Sequence, residues 1–168
     1  IQIPERLMKI AKPSESKNSD INCEENIKEI SALLDYEAKH NGIRINIQTA
    51  PDLPLINGNE TDFKMIILNL AQNAIKAMPE GGDLNLTLAH KRGFLEIQVQ
   101  DTGKGISSQR LPHIFEPFVT SSQTSEHSGL GLAIVKSLVR NFNADIKVAS
   151  KIGEGTTFTL KFPYKQKK

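Results

Sequence analysis

"ILNLAQNAIKAM", Ile67 to Met78, reads as one helix with two characters. At about 100° per residue, Ile66, Leu70, Ala74 and Ala77 share one arc. Asn69, Asn73 and Lys76, spaced i, i+4 and i+7, share the arc beside it. The polar stripe therefore borders the buried face instead of lying opposite it. A carboxamide oxygen is a hard donor suited to Mg²⁺, and a lysine beside it suits a phosphate. A structural explanation stands next to that one: asparagines bonded to neighbouring backbone, and a lysine whose stem covers apolar surface while its ammonium reaches water. The helix alone leaves both open.

Outward from this helix, short strands and amphipathic helices alternate. Asn22 can cap a helix with Glu24 and Glu25 in its first turn, ended by Asn41-Gly42, with Ile27, Ile30, Leu33, Leu34 and Ala38 as its apolar face. "IRINIQT" (43–49) alternates as a strand with Ile43, Ile45 and Ile47 inward, and "PDLPLINGN" (51–59) reads as a loop into the opening helix. Residues 81–100 read as two strands around a "KRG" turn. "LGLAIVKSLVRNF" (130–142) is a further amphipathic helix, and residues 144–164 form a closing hairpin. Between them runs a long polar connection, 107–129, holding one aromatic-proline knot, "IFEPF" (114–118); a connection of that length inside a domain is usually functional or mobile. Pro4 to Lys12 can form one or two helical turns, followed by the polar "KPSESKNSD" (12–20). The expected division is a helix remnant with a linker over 1–20 and one domain over 21–168. The expected fold class is α/β (α+β): a two-layer sandwich whose mixed sheet is covered on one face by helices.

Composition narrows the function. The 168 residues are 38% apolar and 24% charged, enough for one soluble globular domain with a core. No apolar run is long enough to span a bilayer, and no signal-peptide pattern is present. The net charge is +2, concentrated in the terminal "KQKK", with no basic stripe interleaved with aromatics, so no nucleic-acid partner is expected. The lone Cys23 allows no internal disulfide and fits a reducing, cytoplasmic setting. His40, His90, His113 and His127 lack metal-site spacing. Because position one is Ile, a piece of a longer chain is expected.

Three glycine loops complete the pattern. "DTGKGI" (101–106) sets Asp101 at a strand end, where a carboxylate can accept a hydrogen bond from an exocyclic amine such as that of adenine. The glycines after it let backbone approach a flat ligand. "SGLGLAIV" (128–135) leads glycines into a helix start, whose free N–H groups favour an anion. "GEGTTF" (153–158) puts a glycine turn before a strand. Each alone is commonplace, and neither a Walker A lysine-serine pair nor Rossmann spacing occurs.

In this order, however, the elements resemble the Bergerat ATP-binding fold of the GHKL superfamily, and within it the sensor histidine kinases. "NLAQNAIKAM" is similar to the N box, "DTGKGI" to the first glycine box, "IFEPF" to the F box, "GLGLAIV" to the second glycine box and "GEGTTF" to the third. The resemblance runs from about Asn22 to Pro163, and "RLMKIAKPSE" (6–15) is similar to the end of a dimerisation helix in nitrogen-regulation-type kinases.

The resemblance implies ATP and Mg²⁺ as cofactors. It implies that Asn73 ligates Mg²⁺ with Asn69 alongside, that Lys76 reaches the phosphates, and that Asp101 reads the adenine amino group. Gly103, Gly105, Ile106 and Thr156 would surround the base; Gly129, Leu130, Gly131 and Leu132 would cradle the triphosphate. Phe115 and Phe118 would anchor the lid over 119–128, although plain core packing accounts for them equally well. At Asn69 the superfamily's ATPases carry a glutamate that activates water; an amide takes no proton near neutral pH, which favours phosphoryl transfer over hydrolysis. The phosphoacceptor histidine would belong to dimerisation helices of the same protein, a homodimer when complete, with a response regulator as the next partner. This piece alone would be a monomer, and its parent cytoplasmic or anchored to the inner membrane. The lid has no Lys or Arg where many family members have one. That departure leaves room for a nucleotide-binding module without transfer; a stand-alone ATPase is disfavoured by Asn69.

Overall fold

The computed structural model describes residues 17–117 and 131–165. In chain order its elements are β1 (Ser19–Ile21), α1 (Cys23–His40), β2 (Ile43–Thr49), β3 (Ile56–Gly58), α2 (Glu60–Lys76), β4 (Gly82–Lys91) and β5 (Phe94–Asp101). After a single 3₁₀ turn at Leu111–His113 come α3 (Gly131–Asn141), β6 (Asp145–Lys151) and β7 (Gly155–Pro163). The expected helix over 4–12, Phe118 and the lid 119–128, and Gly129 and Leu130 lie outside the described residues.

Local chemistry sets the helix ends. Asn22 Oδ1 accepts the Glu25 N–H at 3.1 Å at the start of α1, and Asn59 Oδ1 accepts the Asp62 N–H at 3.1 Å at the start of α2. Each satisfies one of the N–H groups that a first turn leaves without a helical partner. Between β4 and β5 the chain reverses through Arg92 (φ 48°) and Gly93 (φ 87°). Two consecutive positive φ angles give a turn whose twist matches the flanking strands.

Five strands form one sheet in the order β2-β4-β5-β7-β6; β2 runs parallel to β4 and the other neighbours are antiparallel. The sheet is mixed and covered by helices on one face, as the sequence pattern predicts. On the covered face two successive cross-strand rows are wholly apolar: Leu88, Ile97, Leu160 and Ile146, then Leu86, Val99, Phe158 and Val148. Ile66, Leu70 and Ala74 of α2 are buried against this layer, as is Phe63, whose ring meets Phe162 edge-on at 5.6 Å. The opposite face is polar, with Asn46 bonded to Asn85 at 2.9 Å and Arg44 to Asp83 at 3.0 Å.

Two expectations need correction. Leu33 is 76% exposed and does not belong to the buried face of α1. At about 100° per residue it stands a quarter-turn from Leu34, outside the arc of Ile27, Ile30, Leu34 and Ala38. The sequence reads Ser19 and Asp20 as linker and Ile56–Gly58 as loop, whereas Ser19–Ile21 and Ile56–Gly58 pair as an antiparallel two-stranded ribbon, Ser19 opposite Gly58 and Ile21 opposite Ile56. Ile21 and Ile56 are buried in the common core, which holds the ribbon in place.

Candidate functional site

The helix-facing side of the sheet changes character in one row. Where β4, β5, β7 and β6 pair as Leu84, Asp101, Thr156 and Ser150, three adjacent positions are polar. Asp101 is the last residue of β5, and both Asp101 and Thr156 are only 5% exposed. The Asp101 carboxylate accepts the Gly103 N–H at 2.8 Å and a further backbone N–H from Thr156. Burial raises its pKa above the ordinary carboxylate value, against the lowering effect of those two bonds. A buried carboxylate with acceptor capacity to spare costs stability, so the row suits a ligand that donates hydrogen bonds.

The loop after Asp101 is fastened on both sides. A Cβ on Gly103 would collide with the Ala77 carbonyl at the end of α2, and the neighbouring Lys104 N–H bonds that same carbonyl at 3.0 Å. Gly105, at φ +74°, lies against the Lys151 backbone, and Lys104 O accepts the Gly153 N–H at 2.9 Å. These glycines are thus required by backbone packing within the chain itself. Ile106 follows, half-buried, its N–H on Ser150 Oγ at 2.8 Å.

On α2, Asn69 and Asn73 are half-buried and Lys76 is the exposed last residue of the helix. Asn69 Nδ2 donates to the Met65 carbonyl at 2.9 Å, the backbone bond of the structural explanation. Its Oδ1 faces the start of α3, where a Cβ on Gly131 would sit 3.2 Å away. Asn69 is thus an oriented contact between the two helices. The Asn73 carboxamide, one turn after Asn69 on α2, has no hydrogen-bond partner among the described residues, and Gly131 and Leu132 are the first described residues of α3. The structure therefore brings together Asp101, Gly103, Gly105, Ile106 and Thr156 at one end of the sheet. Asn69 joins Gly131 at the α2–α3 contact, and the Ala77–Gly103 contact ties α2 to the Asp101 loop.

Phe115 packs edge-on against Phe158 at 6.3 Å between ring centroids, with Lys136 Nζ 5.3 Å above its face. It is thereby joined both to the core and to α3. Ser150 is the residue that the sequence reading missed. Its Oγ accepts from Ile106 N–H, donates to the Gly155 carbonyl at 3.0 Å and lies 2.7 Å from Thr156 Oγ1. The available signal was its parity: counted from Ile146 and Val148, Ser150 falls on the covered face of β6, where an apolar residue would be expected.

Two other places offer less. Among the described residues no group of three or more His, Cys, Asp or Glu side chains could hold a metal ion. A depression of about 260 Å³ lined by Asn46, Gln48, Asn85, Leu86, Thr87 and Gln100 lies on the open polar face of the sheet and contains no titratable side chain.

A two-layer mixed sheet with a buried carboxylate at one end, glycine loops around it and a carboxamide-bearing helix alongside defines a class of nucleotide-binding domain. The chain belongs to the family of histidine kinase-, DNA gyrase B- and HSP90-like ATPases, whose model matches residues 58–166. It is 34% identical to sporulation kinase A of Bacillus subtilis over 95% of its own length and 26% of that protein. It is 31% identical to the sensor histidine kinase ZraS of Escherichia coli over 96% of its length and 34% of that protein. Among solved structures it is similar to full-length ShkA in complex with AMPPNP, with a TM-score of 0.80 and 28% identity over 95% of this chain and 36% of that one. The likeness is to the ATP-binding domain of sensor histidine kinases, and the chain spans about a third or less of these relatives. Among the described residues no helix is long and apolar enough to cross a membrane.

Proposed function

We propose that this chain is the catalytic part of a histidine kinase: it binds ATP with Mg²⁺ and presents the γ-phosphoryl group to a histidine on dimerisation helices elsewhere in the same protein, for relay to a response regulator. The observation that carries the proposal is the buried acceptor row of Asp101 and Thr156, tied through Gly103 and Ala77 to the end of α2. In this reading Asp101 accepts a hydrogen bond from the adenine amino group, with Thr156, Gly105 and Ile106 around the base. Gly131 and Leu132, the first described residues of α3, turn backbone N–H groups to the phosphates. Lys76 supplies a cation to them.

The residues fit a magnesium ion shared with phosphate. Asn73 offers a carboxamide oxygen free among the described residues, and Mg²⁺ is usually held by few protein ligands together with substrate phosphates and water. When bound, the ion supplies charge neutralisation at the phosphoryl oxygens. This chain's own part is positioning: it fixes the base at one end and the phosphates at the other. Asn69 holds the junction between them and, being an amide, abstracts no proton from water. A cytoplasmic location belongs to the same proposal, since both ATP and reduced Cys23 are expected there.

The test is phosphoryl transfer. Expressed together with the residues that precede it in its parent protein, the chain should form acid-labile, base-stable phosphohistidine from γ-labelled ATP. A second reading, a nucleotide-binding module without transfer, is favoured by the absence of Lys and Arg over 119–128. Nucleotide binding without phosphohistidine in the longer protein would select it.

A further inference from the structure

The structure assigns Ser150 a role in reading the base: we infer that it sets the Thr156 hydroxyl as a hydrogen-bond acceptor, so that Asp101 and Thr156 together select a purine carrying an exocyclic amine. This rests on the functional reading above and goes one residue beyond it.

The inference follows from counting protons. Ser150 Oγ has one hydrogen and three close partners: the Ile106 N–H, the Gly155 carbonyl and Thr156 Oγ1. The N–H can only donate and the carbonyl can only accept. All three bonds form at once only if Ser150 donates to Gly155 O and Thr156 donates to Ser150. The Thr156 proton is then turned away along the sheet, and the Thr156 lone pairs remain for the site. Thr156 stands directly across from Asp101 in the β5–β7 pairing, a spacing of about 5 Å between Cβ atoms.

Side by side, the row thus presents a carboxylate and a hydroxyl oxygen, both acceptors. An amine with two N–H groups satisfies both; a carbonyl oxygen at the same place would meet two acceptors and be rejected. Ser150 also ties together two segments that surround the base, because its partners come from the loop after β5 and from the first two residues of β7. It touches no substrate in this account and is a positioning residue.

The test compares ATP with purine ribonucleoside triphosphate, which lacks the 6-amino group, by titration calorimetry with Mg²⁺. For Ser150→Ala, ATP affinity should fall about fivefold to tenfold while affinity for the amine-free analogue stays within twofold. Ser150→Thr, which keeps the hydroxyl, should restore the discrimination. Thr156→Val should lose it as Ser150→Ala does, and this arm decides the matter if Ser150→Ala does not fold. An equal loss for both nucleotides in Ser150→Ala, which a purely structural role would give, overturns the inference. So does a Thr156→Val variant that discriminates like the parent. Failure of the parent to bind ATP at all would instead overturn the functional reading, and the role of Ser150 with it.

Discussion

Replacing Gly105 by alanine should damage this domain far more than the same change at Gly153, although both belong to glycine loops of similar appearance. Gly105 has φ +74° and Gly153 φ +79°, so each alanine carries a similar backbone strain of about 1–2 kcal/mol. Their surroundings differ. A Cβ on Gly105 would strike the Lys151 carbonyl, with Lys151 C at 2.7 Å and Ile152 Cα at 3.1 Å, all backbone; a Cβ on Gly153 meets nothing within 4 Å. Forcing a carbon into packed backbone costs about 1–3 kcal/mol more. Gly105→Ala is therefore expected to lose about 2–5 kcal/mol and Gly153→Ala about 1–2 kcal/mol. At about 2–4 °C per kcal/mol for a domain of this size, the two melting temperatures should differ by about 2–12 °C. The displaced backbone leads straight into Ile106, whose N–H bonds Ser150, so Gly105→Ala should also weaken nucleotide binding below its melting temperature. Thermal and urea unfolding with a nucleotide titration read all of this. Equal destabilisation by the two alanines would refute the packing explanation.

Two further outcomes follow from the same geometry. Asp101 has its pKa raised, chiefly by burial, so between the ordinary value of about 3.9 and the raised one the folded chain holds more protons than the unfolded chain. Its contribution to stability falls as pH rises through that window, and the cost persists above it. Asp101→Asn should thus gain on the parent in melting temperature as pH rises through the window, while losing ATP affinity; a variant that falls further behind as pH rises contradicts this. Leu70, fully buried on the apolar arc of α2, should cost about 2–5 kcal/mol on truncation to alanine, read as a lower urea midpoint with unchanged m-value.

Much of the fold was legible because the signals were long or chemically specific. The Asn22 cap, the alternation of β2, the two strands around the "KRG" turn and the hydrophobic arc of α2 each follow from local rules, and together they leave little but a two-layer mixed sheet. Leu33 misled because an apolar residue beside Leu34 joins a helical stripe only if its angle agrees, and its angle does not. The β1–β3 ribbon was invisible because a three-residue strand has no period to read; pairing and the burial of Ile21 and Ile56 make it. Of the candidate site, Asp101 and the glycines were marked by their motifs. What the glycines accommodate, the carbonyl of Ala77 and the backbone of Lys151, depends on segments distant in sequence. Ser150 was missed because a serine in an edge strand reads as surface until its row partners are known.

The most direct test of the central claim is titration of this chain with AMPPNP, in the presence and absence of Mg²⁺, for the parent and for Asp101→Asn. The account expects saturable binding by the parent, strengthened by Mg²⁺ and weakened at least tenfold by the substitution, about 1.4 kcal/mol. No binding at millimolar nucleotide, or binding indifferent to Asp101, would contradict it.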